Sequence, residues 1–487
     1  MQEPMNTPST PVDNTSQKKK RFILSLIGSV TFVIGIGGVA CLSQYSVYIT
    51  SYIHYFDESI DMQYGNLMSP ILTSSIGLSA ALGGILEKKI GMRLTLTLSF
   101  LLLELMVFIF IFLKSIGIVI FLIILLGLSA GLGMPILIKN LMCFYPQKRG
   151  VICSLIPSSL ILLAAIFSVV GEKIINPEAE ELADGEICYK YETAKNFINY
   201  FKMILIINPI TSVIGIVIMK KFDPAIDYDY SEISKTSENT TPNEEKHELN
   251  IKEPEKKKIN SQNLKAAIFS KRIWIICGII QLYNINIEYS INTFRVFGSL
   301  VQINGSVMQY GGAFVGISSL IFAPTWGIVN DKINFPNSAK IIGILCLILG
   351  LLLSIFIKSN FIYVTSVLLI TIPFAGLKTI LQPHIMKVYG VKYFIEIGGV
   401  IGGIGSIKTL LLGFLSFGVS KFYQTGKELQ VIYRYIFIAG VICCGFGLFL
   451  SFIEDESKFE YPIPEEDETD NSVSEKKEAN LVSVSAE

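Results

Sequence analysis

Apolar runs of about 20 residues, long enough to cross a ~30 Å hydrocarbon core as helix, recur along nearly the whole chain. Short charged or Gly/Pro-containing breaks separate them. Twelve runs fall near 22–50, 64–86, 92–114, 116–143, 150–171, 200–220, 272–300, 310–329, 339–358, 361–386, 395–420 and 431–453, and each predicts a membrane-spanning helix, numbered here spans 1 to 12. Outside them the pattern changes abruptly. Residues 1–21 are polar and end in KKKR, 221–271 are rich in Lys, Glu, Asn, Ser and Thr, and 454–487 are acidic, so these three stretches read as a disordered tail, linker and tail. Span 1 is too long for a secretory signal and no small-residue cleavage site follows it, so it is expected to stay as a helix.

Composition agrees with that pattern. Of 487 residues 51% are hydrophobic and 16% charged, with a mean hydropathy of +0.54, too apolar for a soluble chain of this length. Net charge is zero and sits in tails and loops, which gives no basis for a nucleic-acid partner. Loop charge sets the expected orientation. KKKR before span 1, Lys88, Lys89 and Arg93 after span 2, Lys148 and Arg149 after span 4, and Lys387 and Lys392 after span 10 share one face, whereas HYFDESIDM after span 1 has no Lys or Arg. The basic face is expected to be cytosolic, with both termini and the linker on that side.

Eight cysteines, seven of them in or beside apolar runs, form no disulfide framework, and histidines at 54, 247 and 384 assemble no metal cluster by spacing. No nucleophile elbow or phosphate loop is present, and GGVIGGIGS at 398–406 lies inside a span, where glycines serve close helix packing. The expectation is no enzyme, no cofactor and no metal.

The chain also repeats itself. MQYG occurs at Met62 to Gly65 and again at Met308 to Gly311, an offset of 246. QYSVYITSY (44–52) aligns with EYSINTFRV (288–296) at 244, GILEKKIGMR (84–93) with GIVNDKINF (327–335) at 243, and PILIK (135–139) with PFAGLK (373–378) at about 238. Four matches in one order mean duplication. They predict an all-α membrane protein of twelve transmembrane helices in two pseudo-symmetric six-helix halves, 22–220 and 272–453, related by an axis along the membrane normal.

The loop after span 2 in each copy resembles the signature of the major facilitator superfamily: glycine, acid, base and glycine before further basic charge. Gly327, Asp331 and Lys332 match in the second copy, with Asn334 where glycine is usual. In the first, Lys88 stands where the acid belongs, Glu87 is one place early, and Gly91 and Arg93 are kept. The resemblance implies that these residues latch the halves together on the cytosolic side. FYPQKRGVI (144–152) and VYGVKYF (388–394) are similar to segments of monocarboxylate transporters and oxalate:formate antiporters. That likeness implies a carrier of small carboxylates, with Lys408 as counterpart of the antiporters' span-11 lysine. Spans 1 and 8 carry none of the charges those families place there.

An ionisable residue at mid-membrane costs about +2.5 to +3.5 kcal/mol on insertion scales, so the few present are candidates for function. Lys408, Glu288 and Glu104 lie midway through spans 11, 7 and 3, and Lys139 and Lys378 occupy matching places in spans 4 and 10, where snorkelling toward the basic face is expected. Glu104 reads as a packing contact. Gln44, Tyr48 and Ser51 recur along one face of span 1, with Tyr45 beside them, and Asn284, Glu288, Asn292 and Arg295 along one face of span 7. Expected substrate contacts are therefore Lys408, Glu288, Asn284, Asn292, Arg295, Gln44, Tyr45 and Tyr48; as an alternative, Lys408 merely neutralises Glu288 and holds two helices in register. The expected function is a proton-linked or exchanging carrier of small organic anions, monomeric, in the plasma membrane. Amino acids or other solutes, or a transport-inactive sensor of the same fold, are the alternatives.

Overall fold

The computed structural model describes residues 11–60, 64–178, 180, 188–227, 267–300, 305–355, 360–422 and 426–454. Among them every regular element is helical. Span 1 is Pro11–Ala40 continued, after a break at Cys41, by Leu42–His54. Spans 2 to 6 are Gly65–Ile90, Met92–Phe110, Ile116–Phe144, Arg149–Ile175 and Phe197–Ile218. Span 7 is Lys271–Leu300, spans 8 and 9 form one bent helix Gly305–Ile355, spans 10 and 11 another, Asn360–Phe422, and span 12 is Gly426–Ile453.

The sharp turns fall where the backbone can make them. Gly91 (φ 82, ψ 162), between spans 2 and 3, and Gly390 (φ 73, ψ 172), between spans 10 and 11, occupy a region closed to most side chains. Asn334, between spans 8 and 9, takes the same conformation at φ 66, ψ 166. It is the only described non-glycine residue at positive φ. The duplicated signature thus survives as backbone geometry where its glycine is lost.

Span 3 shows how the spans divide their surfaces. Leu94, Leu98, Leu101, Leu105 and Phe108 are exposed at helical spacing, and Leu96, Leu103, Met106 and Val107 are buried. An apolar stripe of that length facing outward suits lipid and not water. Tight interhelical contacts are made by small residues: span 2 lies along span 11 with Gly77 against Gly402 and Ser406, and Gly399 against Ala81, while Ser74 Oγ donates to Ser406 O at 2.8 Å.

Two expectations about the polar stretches change. Residues 11–21, expected within a disordered tail, are the first turns of the span 1 helix Pro11–Ala40. The chain after span 6 stays ordered through 227: Asp227 is fully buried and pairs with Arg21 at 2.8 Å, because the carboxylate meets the one arginine at the start of span 1. Between spans 5 and 6 lie a short helix Tyr191–Lys195 and Glu180, whose carboxyl Lys190 and Thr193 hold below the usual carboxylate range.

Candidate functional site

Glu288 and Lys408 meet. Lys408 Nζ lies 2.8 Å from Glu288 Oε2, joining spans 7 and 11, and Thr409 Oγ1 donates to the same oxygen at 2.7 Å. The side chains are 20% and 14% exposed, so neither charge has full hydration to fall back on. Beside the pair is a cleft of about 460 Å³, whose lining is apolar apart from Lys408 and includes Ile285, Ile404, Ile407 and Leu411. One turn and two turns from Glu288 along span 7 lie Asn284, half-buried, and Gln281, whose Nε2 donates to Ile401 O at 3.1 Å. Gly405 gives Gln281 its room: a Cβ there would come within 2.9 Å of the carboxamide.

The matching joint of the first copy, span 1 against span 5, is built differently. Tyr45 is fully buried, and its hydroxyl donates to Phe167 O at 2.7 Å and Ser168 O at 3.0 Å, in space that Gly171 leaves open. Tyr48 donates to Glu172 Oε1 at 2.7 Å. Both tyrosines therefore fasten span 1 to span 5. Of the other expected contacts, the side chains of Gln44, Asn292 and Arg295 lie outside the described residues. Glu104 accepts from Asn208 Nδ2 at 2.6 Å, joining spans 3 and 6.

At the basic face the copies touch across two joints. Asp331, ending span 8, accepts the amide hydrogens of Gly150 at 3.0 Å and Val151 at 3.4 Å, the first turn of span 5. Gly327 packs so closely there that a Cβ would fall 2.6 Å from Gly150 backbone. At the corresponding end of span 2, Lys88 Nζ donates to Lys392 O at 2.8 Å and pairs with Glu396, both in the first turns of span 11. Glu87, one place before, holds Lys139 Nζ at 3.0 Å. Lys332 and Arg93 are exposed beside these joints, and Gly91 makes the turn out of span 2. The sequence reading did not single out Thr409, Gln281 or Glu396. Of these, Gln281 shares the i, i+7 face of Glu288 and was findable; the others depend on how neighbouring helices are rotated.

No family model and no curated protein sequence matches this chain. Among solved structures, the crystal structure of the human organic anion transporter MFSD10 (TETRAN) is similar, with a TM-score of 0.57 and 10% identity over 88% of this chain and 99% of that one. At that identity the likeness speaks to architecture. The chain is an all-α, multi-pass membrane protein with the major facilitator fold.

Proposed function

We propose that this protein is a secondary active transporter of small organic anions, monocarboxylates foremost, that works by alternating access. The observation that carries the reading is the Glu288–Lys408 pair, 2.8 Å apart, midway along two spans and beside an apolar cleft. A buried pair of this kind is poor value for stability alone, because desolvation offsets much of the attraction. As a site it has a use. When Glu288 takes up a proton Lys408 is released, so a proton and an anion share one charge balance and can move together or exchange. The solved structure named above is described as an organic anion transporter, which favours the same substrate class.

In this reading the basic face is cytosolic, its two joints are the closed inner gate, and the protein works as a monomer in the plasma membrane. The test is uptake of labelled lactate, formate, oxalate and amino acids into proteoliposomes with and without an inward proton gradient. Saturable uptake of a monocarboxylate, stimulated by the gradient or by internal anion, supports the proposal. Glu288→Gln should retain anion exchange while losing gradient-driven uptake; equal loss of both would make the pair a helix clamp.

A further inference from the structure

The two copies treat a matching lysine differently. In the first, Lys139 of span 4 is held by Glu87 at 3.0 Å. In the second, Lys378 of span 10 takes the place of Lys139, and Asn330 takes the place of Glu87 in the aligned stretches GILEKK and GIVNDK. An amide cannot neutralise an ammonium. Among the described residues no carboxylate forms an ion pair with Lys378, whose Nζ lies 3.9 Å from the centre of the Phe374 ring.

Lys378 points to the interior. Gln382, one turn further along the same face, accepts from Cys153 Sγ of span 5 in the other copy, at 3.7 Å. Lys378 is within Coulombic range of Glu288 on span 7. Its neighbours Leu377 and Thr379 are 2% and 1% exposed, yet Lys378 itself is accessible. The apolar run of span 10 continues to 386, 8 residues beyond Lys378, about 12 Å at 1.5 Å per residue, beyond the reach of a lysine stem. Snorkelling to the basic face, expected from sequence, is thus not available to it.

We propose that Lys378 is the receiving cation of the transport site, for a small organic monoanion whose carboxylate meets Nζ and whose apolar body lies on Phe374. This rests on the transport reading above and assigns the anion a first partner in the state in which Glu288 is charged and holds Lys408. Charge supports a monoanion: among the described residues, and with Glu288 charged, Lys378 and Lys408 against Glu288 leave one positive charge, so a monoanion makes this group neutral, while a dianion leaves a surplus that is costly at this depth.

Thermal unfolding of the purified full-length protein in detergent, titrated with benzoate, malonate and the neutral benzamide, tests this, with KM for uptake as a second measure of affinity. Benzoate should raise the midpoint of the wild type, malonate less, benzamide not at all. Lys378→Gln should need at least tenfold more benzoate for the same shift, or show a KM raised by that factor. Lys378→Gln should unfold no earlier than wild type without ligand, since it removes an unpaired charge, whereas Lys139→Gln should unfold earlier. Independently of any variant, benzoate should protect Lys378 in the wild type from an amine-reactive reagent, read by mass spectrometry. Unchanged affinity in Lys378→Gln, or no protection at saturating benzoate, overturns the assignment and leaves the transport reading standing. Tighter binding of malonate overturns the charge argument. A wild type that neither binds nor takes up any anion overturns the transport reading, and this inference with it.

Discussion

At the end of span 8 an acid, Asp331, reaches across to the amide hydrogens that begin span 5; at the matching end of span 2 a base, Lys88, reaches across to a carbonyl and a carboxylate that begin span 11. A helix start presents unpaired N–H groups and the positive end of its dipole, so Asp331 is the partner that electrostatics favours. Lys88 reverses that choice and is made acceptable by Glu396, which puts the acid on the receiving helix itself. The negative charge has moved from one side of the joint to the other, while the joint remains. What the copies preserve is complementary polarity between two helix ends that must meet and part. The same contrast runs through the interior, where span 1 meets span 5 through tyrosine hydroxyls and span 7 meets span 11 through a charge pair.

The contrast is broken most severely at the interior pair. Glu288→Ala strands Lys408 and should cost about 3–5 kcal/mol of unfolding stability, whereas Tyr48→Phe, the matching cut in the first copy, should cost about 1 kcal/mol. Thermal or denaturant unfolding of the two variants in one detergent checks the difference; equal losses would mean the two joints are energetically alike.

Next is Asp331→Lys, which gives the second latch the charge of the first without its compensating acid. It sets an ammonium against a helix start and removes two acceptor contacts, so the closed basic face should lose about 2 kcal/mol, roughly a thirtyfold shift toward the open form. Faster reaction of a cysteine at Val151, half-buried in the joint, with thiol reagent from that face reads it out, in a background without the native cysteines.

Reversing the first latch should do much less. Lys88 is 43% exposed and Glu396 10%, so the pair is partly screened by solvent. Lys88→Glu and Glu396→Lys, each harmful alone, should together recover about 0.5–1 kcal/mol of coupling, measured by a double-mutant cycle on unfolding. Zero coupling would leave the Lys392 carbonyl as the whole of that latch.

The smallest effect is at Asn334, which holds a backbone conformation suited to glycine. Asn334→Gly should raise stability by about 0.5–1 kcal/mol and Gly91→Asn should lower it by a similar amount. If both variants lower stability, the two turns are not equivalent.

Much of this architecture was legible before any coordinates. Run length and Gly or charged breaks located the helices, because a span must be both long and apolar: 116–143 was expected and Ile116–Phe144 is found, 272–300 was expected and Lys271–Leu300 is found. The aligned stretches GILEKKIG and GIVNDKIN anticipated the equivalent turns at Gly91 and Asn334. Glu288 and Lys408 were both singled out, and their pairing was one of two readings. Tyr45 and Tyr48 were expected at a substrate cavity, yet they turn into the first six helices, since a polar stripe says that a face needs partners and not which ones. Asp227 lies in a stretch that composition marks as disordered, and one ion pair with Arg21 decides otherwise. Contacts such as Lys88 to Glu396 join residues hundreds of positions apart and depend on the rotation of two helices about their axes, which no local pattern records.

The claim that both joints belong to one gate that opens as a unit is tested most directly by distance. Lys89 and Val391 flank the first joint, Gln147 and Lys332 the second, and all four are exposed. Spin labels on each pair, in a background without the native cysteines and in lipid nanodiscs, report both separations by pulsed electron resonance. With a transported anion present, both distributions should gain a longer component in the same proportion. A second joint that lengthens while the first stays at its short distance, or two distributions that ignore the anion, would contradict alternating access through this face.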